Sequence, residues 1–98
     1  MPTNWENVTT EHIMLAIQEF DSSMEPYARS WNTFLLYNDI EYPAKHIRWL
    51  AYRIANKKEI SKETYNGGAP TVNFFIERGF KMRYQGELVA TPLNHKPK

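Results

Sequence analysis

The stretch Tyr42–Lys58, which reads YPAKHIRWLAYRIANKK, combines apolar spacing, boundary signals and charge more strongly than any other part of the chain. Pro43 has no N–H to donate, and the first turn of a helix tolerates such a residue. Four apolar residues then recur at the i, i+3, i+4, i+7 spacing of one helical face: Ile47, Leu50, Ala51 and Ile54. This spacing predicts a helix whose apolar stripe packs against the core of the protein.

The opposite side of this predicted helix carries cations and aromatic rings. Steps of about 100° per residue from Ile47 place six residues away from the stripe: Lys45, Arg48, Trp49, Tyr52, Arg53 and Asn56. Because cations neutralise phosphates and aromatic rings stack on bases, such a face is typical of a nucleic-acid-binding surface. A structural alternative stays open, since Trp49 and Tyr52 could widen the buried stripe and leave the cations as a solvated edge.

The composition predicts one small globular domain. The chain has 98 residues, of which 42% are hydrophobic and 23% charged, and this length leaves no room for a second core. It contains no cysteine, so it can form neither a disulfide nor a thiolate zinc site. The N-terminus lacks a basic segment followed by an apolar one, and no run approaches the roughly 18 apolar residues of a membrane span. We therefore expect a cytoplasmic protein with no membrane contact.

Charge is distributed unevenly along the chain, although the overall net charge is only +1. Residues 1–43 carry seven acidic residues against the single cation Arg29, a net charge of −6. Residues 44–98 carry eleven Lys or Arg residues against four acidic ones, a net charge of +7. If the acidic residues of 1–43 and the basic residues of 44–98 stay apart after folding, the molecule has one acidic side and one basic side. One basic side suits nucleic acid, and it could equally serve an acidic protein partner.

Two structural units are predicted before the helix in Tyr42–Lys58: a first helix and a β-hairpin. Thr9 or Thr10 caps a first helix, whose apolar residues repeat at helical spacing: Ile13, Ala16, Ile17 and Phe20. Residues 33–37 and 40–42 are rich in β-branched, aromatic and aliphatic side chains, and Asn38-Asp39 separates them. Asn and Asp tolerate the left-handed conformation of a two-residue turn, so this stretch predicts a β-hairpin.

A glycine loop, a helix and a strand are predicted after the helix in Tyr42–Lys58. Gly67-Gly68 is predicted to form a plain turn, because the lysine and serine of a phosphate-binding loop are missing. Pro70 opens a helix that Gly79 ends as a left-handed cap, which would let Phe80 fold back on Phe75. Beyond Gly79, the alternation of Phe80, Met82 and Tyr84 with Lys81, Arg83 and Gln85 predicts a strand with one apolar and one basic face. Leu88 and Val89 could extend it after a turn at Gly86.

The predicted element order is α-β-β-α-α-β, an α+β domain with its helices packed on a small antiparallel sheet. We expect residues 9–90 to form this globular domain. Residues 1–8 are predicted to be a loose lead-in that Trp5 anchors, and residues 91–98 a mobile basic tail.

Short motifs along the chain resemble the N-terminal head module of McrA-like, modification-dependent HNH restriction endonucleases and related defence proteins. The matching pieces are Tyr42-Pro43-Ala44-Lys45, Leu50-Ala51, Ala55-Asn56, Gly67-Gly68, Phe75 and Gly79-Phe80, within residues 9–84. In that family a hairpin leads into Tyr-Pro-x-Lys, a helix rich in Ala and Leu, a Gly-Gly loop and a closing Gly-Phe. The family usually carries this module beside other domains, whereas we expect a free-standing module here. The resemblance implies a DNA-recognition or accessory role in restriction or phage defence, with the nuclease chemistry in other domains. A free-standing copy could also come from a phage or mobile element that interferes with such systems.

The residues themselves offer little catalytic chemistry. His12, His46 and His95 lie in different predicted elements without metal-ligand spacing, so we expect no metal and no cofactor. Asp39 and Glu41 precede Lys45, but a metal-dependent nuclease needs its acid and lysine alternating on one strand, and here the lysine follows a proline in a helix.

The leading hypothesis is a non-enzymatic module that binds duplex or modified DNA. Its predicted contact residues are Lys45, Arg48, Trp49, Tyr52, Arg53, Lys57, Lys58 and Arg83. The alternative is a small protein-interaction or inhibitor module that binds a protein of a defence system. The two differ in salt response, because only phosphate binding weakens steeply as salt rises.

Overall fold

The computed structural model describes residues 5–23, 32–61, 65 and 68–93. After a short 3-10 turn at Trp5–Asn7, its elements in chain order are α1 (Thr10–Ser22), β1 (Thr33–Tyr37), β2 (Ile40–Pro43), α2 (Ala44–Asn56), α3 (Ala69–Ile76), β3 (Lys81–Tyr84) and β4 (Glu87–Val89). This order confirms the predicted α+β arrangement and adds β4 as a separate strand. Three expectations fall partly outside the described residues: the first part of the lead-in (1–4), Gly67 of the glycine loop and the tail beyond Leu93.

The first helix begins at a side-chain cap. The Thr9 hydroxyl accepts from the backbone N–H of His12, and the ring Nδ1 of His12 accepts from the Thr9 N–H at 3.0 Å. Reciprocal bonds of this kind satisfy two N–H groups that the first turn leaves without partners. Ile13, Ala16 and Ile17 on α1 are buried, as their spacing predicts.

A four-stranded antiparallel sheet, in the order β2-β1-β3-β4, is built from two hairpins joined through β1 and β3. Asn38 and Asp39 have φ of 53° and 64°, the left-handed conformation that a two-residue turn needs, which confirms the predicted hairpin. The register pairs Leu35 with both Tyr42 and Met82. These three buried side chains lie on one face of the sheet.

The chain reverses at Gly79, where α3 leads into β3. Gly79 has φ of +94°, its N–H donates to Ile76 O at 3.0 Å, and the Phe80 N–H donates to Phe75 O at 3.1 Å. This pair of bonds is a Schellman motif, and the Phe75 and Phe80 rings meet edge to face at 6.4 Å. The predicted left-handed cap and the predicted Phe80–Phe75 contact are both confirmed.

One hydrophobic core lies between the helices and one face of the sheet. Helix α2 crosses it: Ile47, Leu50 and Ala51 are buried, and Ile54 is partly buried against the same cluster. This confirms the phase predicted for the apolar stripe. Alternate strand residues, among them Phe34, Leu36 and Arg83, point to the other face of the sheet and lie outside this cluster.

Both ends of the described chain are attached to the core. Val8 is buried, and the Asn73 side chain both accepts from the Leu93 N–H at 2.6 Å and donates to Leu93 O at 3.2 Å. The division into a lead-in, a globular domain and a tail stays a prediction. Among the helices of the described residues, none is long and apolar enough to cross a membrane.

Candidate nucleic-acid interface

Arg48 lies inside the protein. Its side chain belongs to a residue only 7% exposed, and its guanidinium lies over three rings: 4.1 Å from the centroid of Trp5, 4.7 Å from Tyr65 and 4.8 Å from Phe74. Nη1 donates to Thr71 Oγ1 at 2.7 Å, whereas Nε is buried without a hydrogen-bond partner among the described residues. Burial lowers the pKa of Arg48 to about 10, against a smaller opposing effect of Tyr65. Arg48 therefore does not lie on the water-facing side of the helix that the periodicity predicts.

Tyr52 is buried as well, at 5% exposure, and its ring meets Trp5 edge to face at 4.7 Å. The predicted water-facing side of α2 is therefore wrong at Arg48 and Tyr52. Three aromatic residues cover this flank of α2: Trp5, which precedes the helix in the sequence, and Tyr65 and Phe74, which follow it. The structural alternative, in which aromatic residues widen the buried stripe, is correct for Tyr52.

A second arginine, half-buried beside this cluster, was not predicted from the sequence. Arg78 extends from the end of α3 and donates to three backbone carbonyls: Val8 O at 2.7 Å, Phe74 O at 2.9 Å and Trp5 O at 3.0 Å. Its guanidinium lies 3.9 Å from the Phe74 centroid, and burial lowers its pKa. Two of these partners, Val8 and Trp5, lie 70 and 73 residues away in the chain, so no local sequence signal marks this arginine as structural.

Trp49 is half-buried on the adjoining flank of α2. Its indole N–H donates to Ile60 O, its ring stacks on His46 at 5.8 Å and 19°, and the Arg53 guanidinium lies 4.8 Å from its centroid. The segment after α2 thus folds back along the helix and uses the polar end of the indole. Trp49 supports this side of the helix more than it offers a free stacking surface.

Arg53 carries its charge close to two carboxylates. Its guanidinium pairs with Glu19 on α1 and lies 3.6 Å from Glu59, and its side chain is 25% exposed. This arrangement joins α1 to α2 and neutralises part of the local positive charge. The acidic and basic halves of the sequence therefore meet here instead of staying apart.

The exposed cations of α2 lie toward its C-terminal end. Lys57 and Lys58 are exposed, and Lys57 adopts a left-handed conformation with φ of 58°, from which its N–H donates to Arg53 O at 2.8 Å. At the other end of the helix, Lys45 is half-buried, with its ammonium 5.4 Å from the Tyr65 ring centroid. Lys45, Trp49 and Arg53 recur every four residues along α2, in a row that turns about 40° around the helix axis at each step, and Lys57 follows at the C-cap. This row, together with Lys57 and Lys58, is called the α2 ridge below.

Arg83 is not part of the α2 ridge. It points to the face of the sheet that is opposite the helices, where its Nε donates to Glu41 Oε2 at 2.7 Å. The structure therefore brings together five of the eight predicted contact residues, places Arg48 and Tyr52 in the core, and puts Arg83 on another surface. No cluster of His, Asp and Glu side chains suited to a metal ion occurs within the described part of the chain.

The fold and the site define a class of protein. It is a small α+β module with an aromatic and arginine-rich core and a basic ridge on its central helix. The chain belongs to the family of ScoMcrA-like N-terminal head domains, whose family model matches residues 6–84. This membership associates it with McrA-like restriction proteins, in which the head is a module separate from the HNH nuclease domain. No curated protein and no solved structure matches the chain.

Proposed function

We propose that this domain is a non-catalytic head module that binds DNA through the α2 ridge, in the service of restriction or phage defence. The observation that carries the proposal is the exposure of Lys57 and Lys58 at one end of the ridge. The family supports the proposal, because the McrA-like proteins with which it is associated act on DNA and keep their nuclease chemistry in a separate domain.

The ridge has a length that suits a phosphate backbone. Lys45 and Lys57 are 12 residues apart, which at 1.5 Å per residue is about 18 Å along the helix axis. Each strand of a duplex carries one phosphate per roughly 3.4 Å of helix axis, so the ridge spans several of them. In this proposal the three lysines contact phosphates, while Trp49 and Arg53 hold the ridge in place. Such contacts position a protein on DNA without reading its sequence.

The test is the salt dependence of duplex binding. We expect the double change Lys57→Ala, Lys58→Ala to weaken binding of a fluorescent duplex and to reduce the slope of log affinity against log salt by nearly two units, because two phosphate contacts are lost. The matched control is Lys57→Arg, Lys58→Arg, which keeps both charges and should keep the slope. Duplexes with and without a modified cytosine should lose affinity alike, since the ridge contacts only the backbone.

A second candidate is a protein-binding module, and one observation favours it. Leu15 on α1 is 45% exposed beside a groove of about 450 Å³, which is lined by Leu15, Gln18, Glu19, Ser22 and Ile54. An exposed leucine next to a carboxylate suits contact with a protein of a defence system. The duplex titration separates the candidates. If the parent protein binds no duplex at low salt, the protein-binding candidate replaces the ridge proposal. If the double alanine variant binds as the parent does, duplex DNA contacts another surface and the ridge proposal fails.

A further inference from the structure

The sheet face opposite the helices carries side chains that neither the core nor the α2 ridge uses. Its members, here called the outer sheet face, are Phe34, Leu36, Glu41, Lys81, Arg83 and Leu88. They form two rows across the strands: Phe34, Arg83 and Leu88 in one, and Glu41, Leu36 and Lys81 in the other. The two central strands, β1 and β3, therefore present apolar side chains directly beside cations.

This face is accessible and concave at one end. Leu88 is 60% exposed, the highest fraction among the exposed large hydrophobic residues of the described chain. A groove of about 730 Å³ includes Leu36, Lys81, Arg83 and Leu88 in its lining. A volume of this size is within the range of small-molecule and nucleotide sites.

Charge on the outer sheet face is polarised across the strands. The cations Lys81 and Arg83 are on β3, whereas Glu41 lies on β2, and Asp39 also lines the groove from the turn before β2. Glu41 accepts from Arg83 Nε at 2.7 Å, which orients the guanidinium, and among the described residues its two terminal nitrogens have no hydrogen-bond acceptor. An anionic chain is therefore attracted along β3 and repelled from β2.

Size discriminates between possible occupants. Four strands spaced about 4.8 Å apart give a face roughly 15 Å wide. The strands of this face are three to five residues long. A stable protein interface buries about 800 Å² per partner, which is more than the area of this face. Two or three unstacked nucleotides cover a comparable area when bases lie on the central strands of a four-stranded sheet.

We propose that the outer sheet face binds a single-stranded segment of two or three nucleotides. Its bases lie against Phe34, Leu36 and Leu88, and its phosphates lie toward Lys81 and Arg83. The inference rests on the proposed DNA-binding function for the class of ligand, and it adds a second surface with a different strand preference. The head would then contact duplex through the α2 ridge and unpaired nucleotides through the sheet.

The test compares a fluorescent oligo-dT strand with a duplex by anisotropy. We expect Phe34→Leu, which keeps most of the volume but removes the ring, to weaken single-strand binding about 5- to 100-fold with little change in salt slope, the range for loss of one stacking ring. Phe34→Tyr keeps the ring and should keep the affinity. Lys81→Ala should lower the single-strand salt slope by about 0.7, while Lys81→Arg should leave it unchanged. Thermal melts of each variant establish that it is folded.

The possible failures are distinguishable from one another. Duplex binding by the parent without single-strand binding overturns this inference and leaves the α2 ridge proposal standing, whereas binding of neither probe overturns both. Single-strand binding that Phe34→Leu and Lys81→Ala leave untouched places the strand elsewhere and overturns the inference. A parent that dimerises in light scattering, and becomes monomeric in Phe34→Leu, assigns the face to a second copy of the chain and also overturns it.

Discussion

Two arginines, one buried and one half-buried, lie close to the same aromatic ring. Arg48 and Arg78 lie 4.8 Å and 3.9 Å from the Phe74 centroid. A guanidinium is planar and more weakly hydrated than an ammonium, so it stacks on rings and tolerates burial better than lysine does. Burial still opposes the charge, which is why the pKa of each arginine is lowered. Arg48 thus acts mainly by filling space among rings and by its bond to Thr71.

This arrangement predicts a large difference between two arginines of α2. Arg48→Ala should reduce the free energy of unfolding by about 2–4 kcal/mol, because it opens a cavity and removes the cation from three rings. Arg48→Met should cost less, since a long apolar side chain refills the space without a buried charge. Arg53→Ala is the control. Its partly exposed ion pairs contribute about 0–1 kcal/mol.

Urea unfolding of the three variants measures these differences. Equal losses for Arg48→Ala and Arg53→Ala would place the Arg48 side chain in solvent and contradict its burial. The result also bears on function: a variant that removes Arg48 together with ridge residues is destabilised, so a loss of DNA binding in it does not identify the interface.

At the scale of elements, the turn between α3 and β3 determines how the sheet meets the helices. The Schellman bonds close the end of the helix, and the left-handed Gly79 directs Phe80 back over Phe75. A Cβ at Gly79 would meet no atom within 4 Å, so a substitution there is strained only through the backbone conformation at φ of +94°.

Gly79→Ala should therefore destabilise the domain by about 1 kcal/mol, the cost of placing a Cβ at positive φ. The control is Glu77→Ala two residues earlier, at an exposed position with an ordinary right-handed φ of −64°. Its change should be within about 0.5 kcal/mol of zero. Thermal melts of both variants decide the point: a neutral or more stable Gly79→Ala protein would remove the left-handed cap.

At the scale of the whole molecule, the cluster around Arg48 joins parts of the chain that are far apart in sequence. Trp5 meets Tyr52 of α2, Tyr65 of the following segment and Phe74 of α3, each edge to face at 4.7 to 5.4 Å. The Arg78 guanidinium also binds the N-terminal segment, because it donates to the backbone carbonyls of Trp5 and Val8. The first described residues therefore contribute to the stability of the domain, as the prediction of Trp5 as an anchor implies.

Trp5→Ala should lower the free energy of unfolding by about 2–4 kcal/mol, somewhat less than for a fully buried tryptophan, because the side chain is half-buried. Glu6→Ala, at the exposed neighbouring position, serves as the control and should change stability by less than about 0.5 kcal/mol. Urea denaturation followed by circular dichroism gives both values. If Trp5→Ala is as stable as Glu6→Ala, the N-terminal turn is not part of the folded unit.

The sequence by itself determined the features that depend on neighbouring residues. The Thr9 cap, the Asn38-Asp39 turn, the left-handed Gly79 and the phase of the Ile47 stripe all follow from bonds and angles within a few residues, so local chemistry was sufficient. The motifs also led to the correct family, with a match over residues 6–84.

Only the tertiary structure decided how much of α2 is covered. Helical periodicity relates Arg48 and Tyr52 to Ile47 by angle, but it does not set the width of the arc that other elements bury. That width depends on Trp5 and Phe74, which approach from positions more than 20 residues away in either direction. The same limit applies to Arg83, whose place beside Phe34 on the outer sheet face follows from the pairing of β1 with β3 across almost 50 residues. Contacts over such separations depend on the packing of the whole chain, because no local bond or angle connects the residues involved.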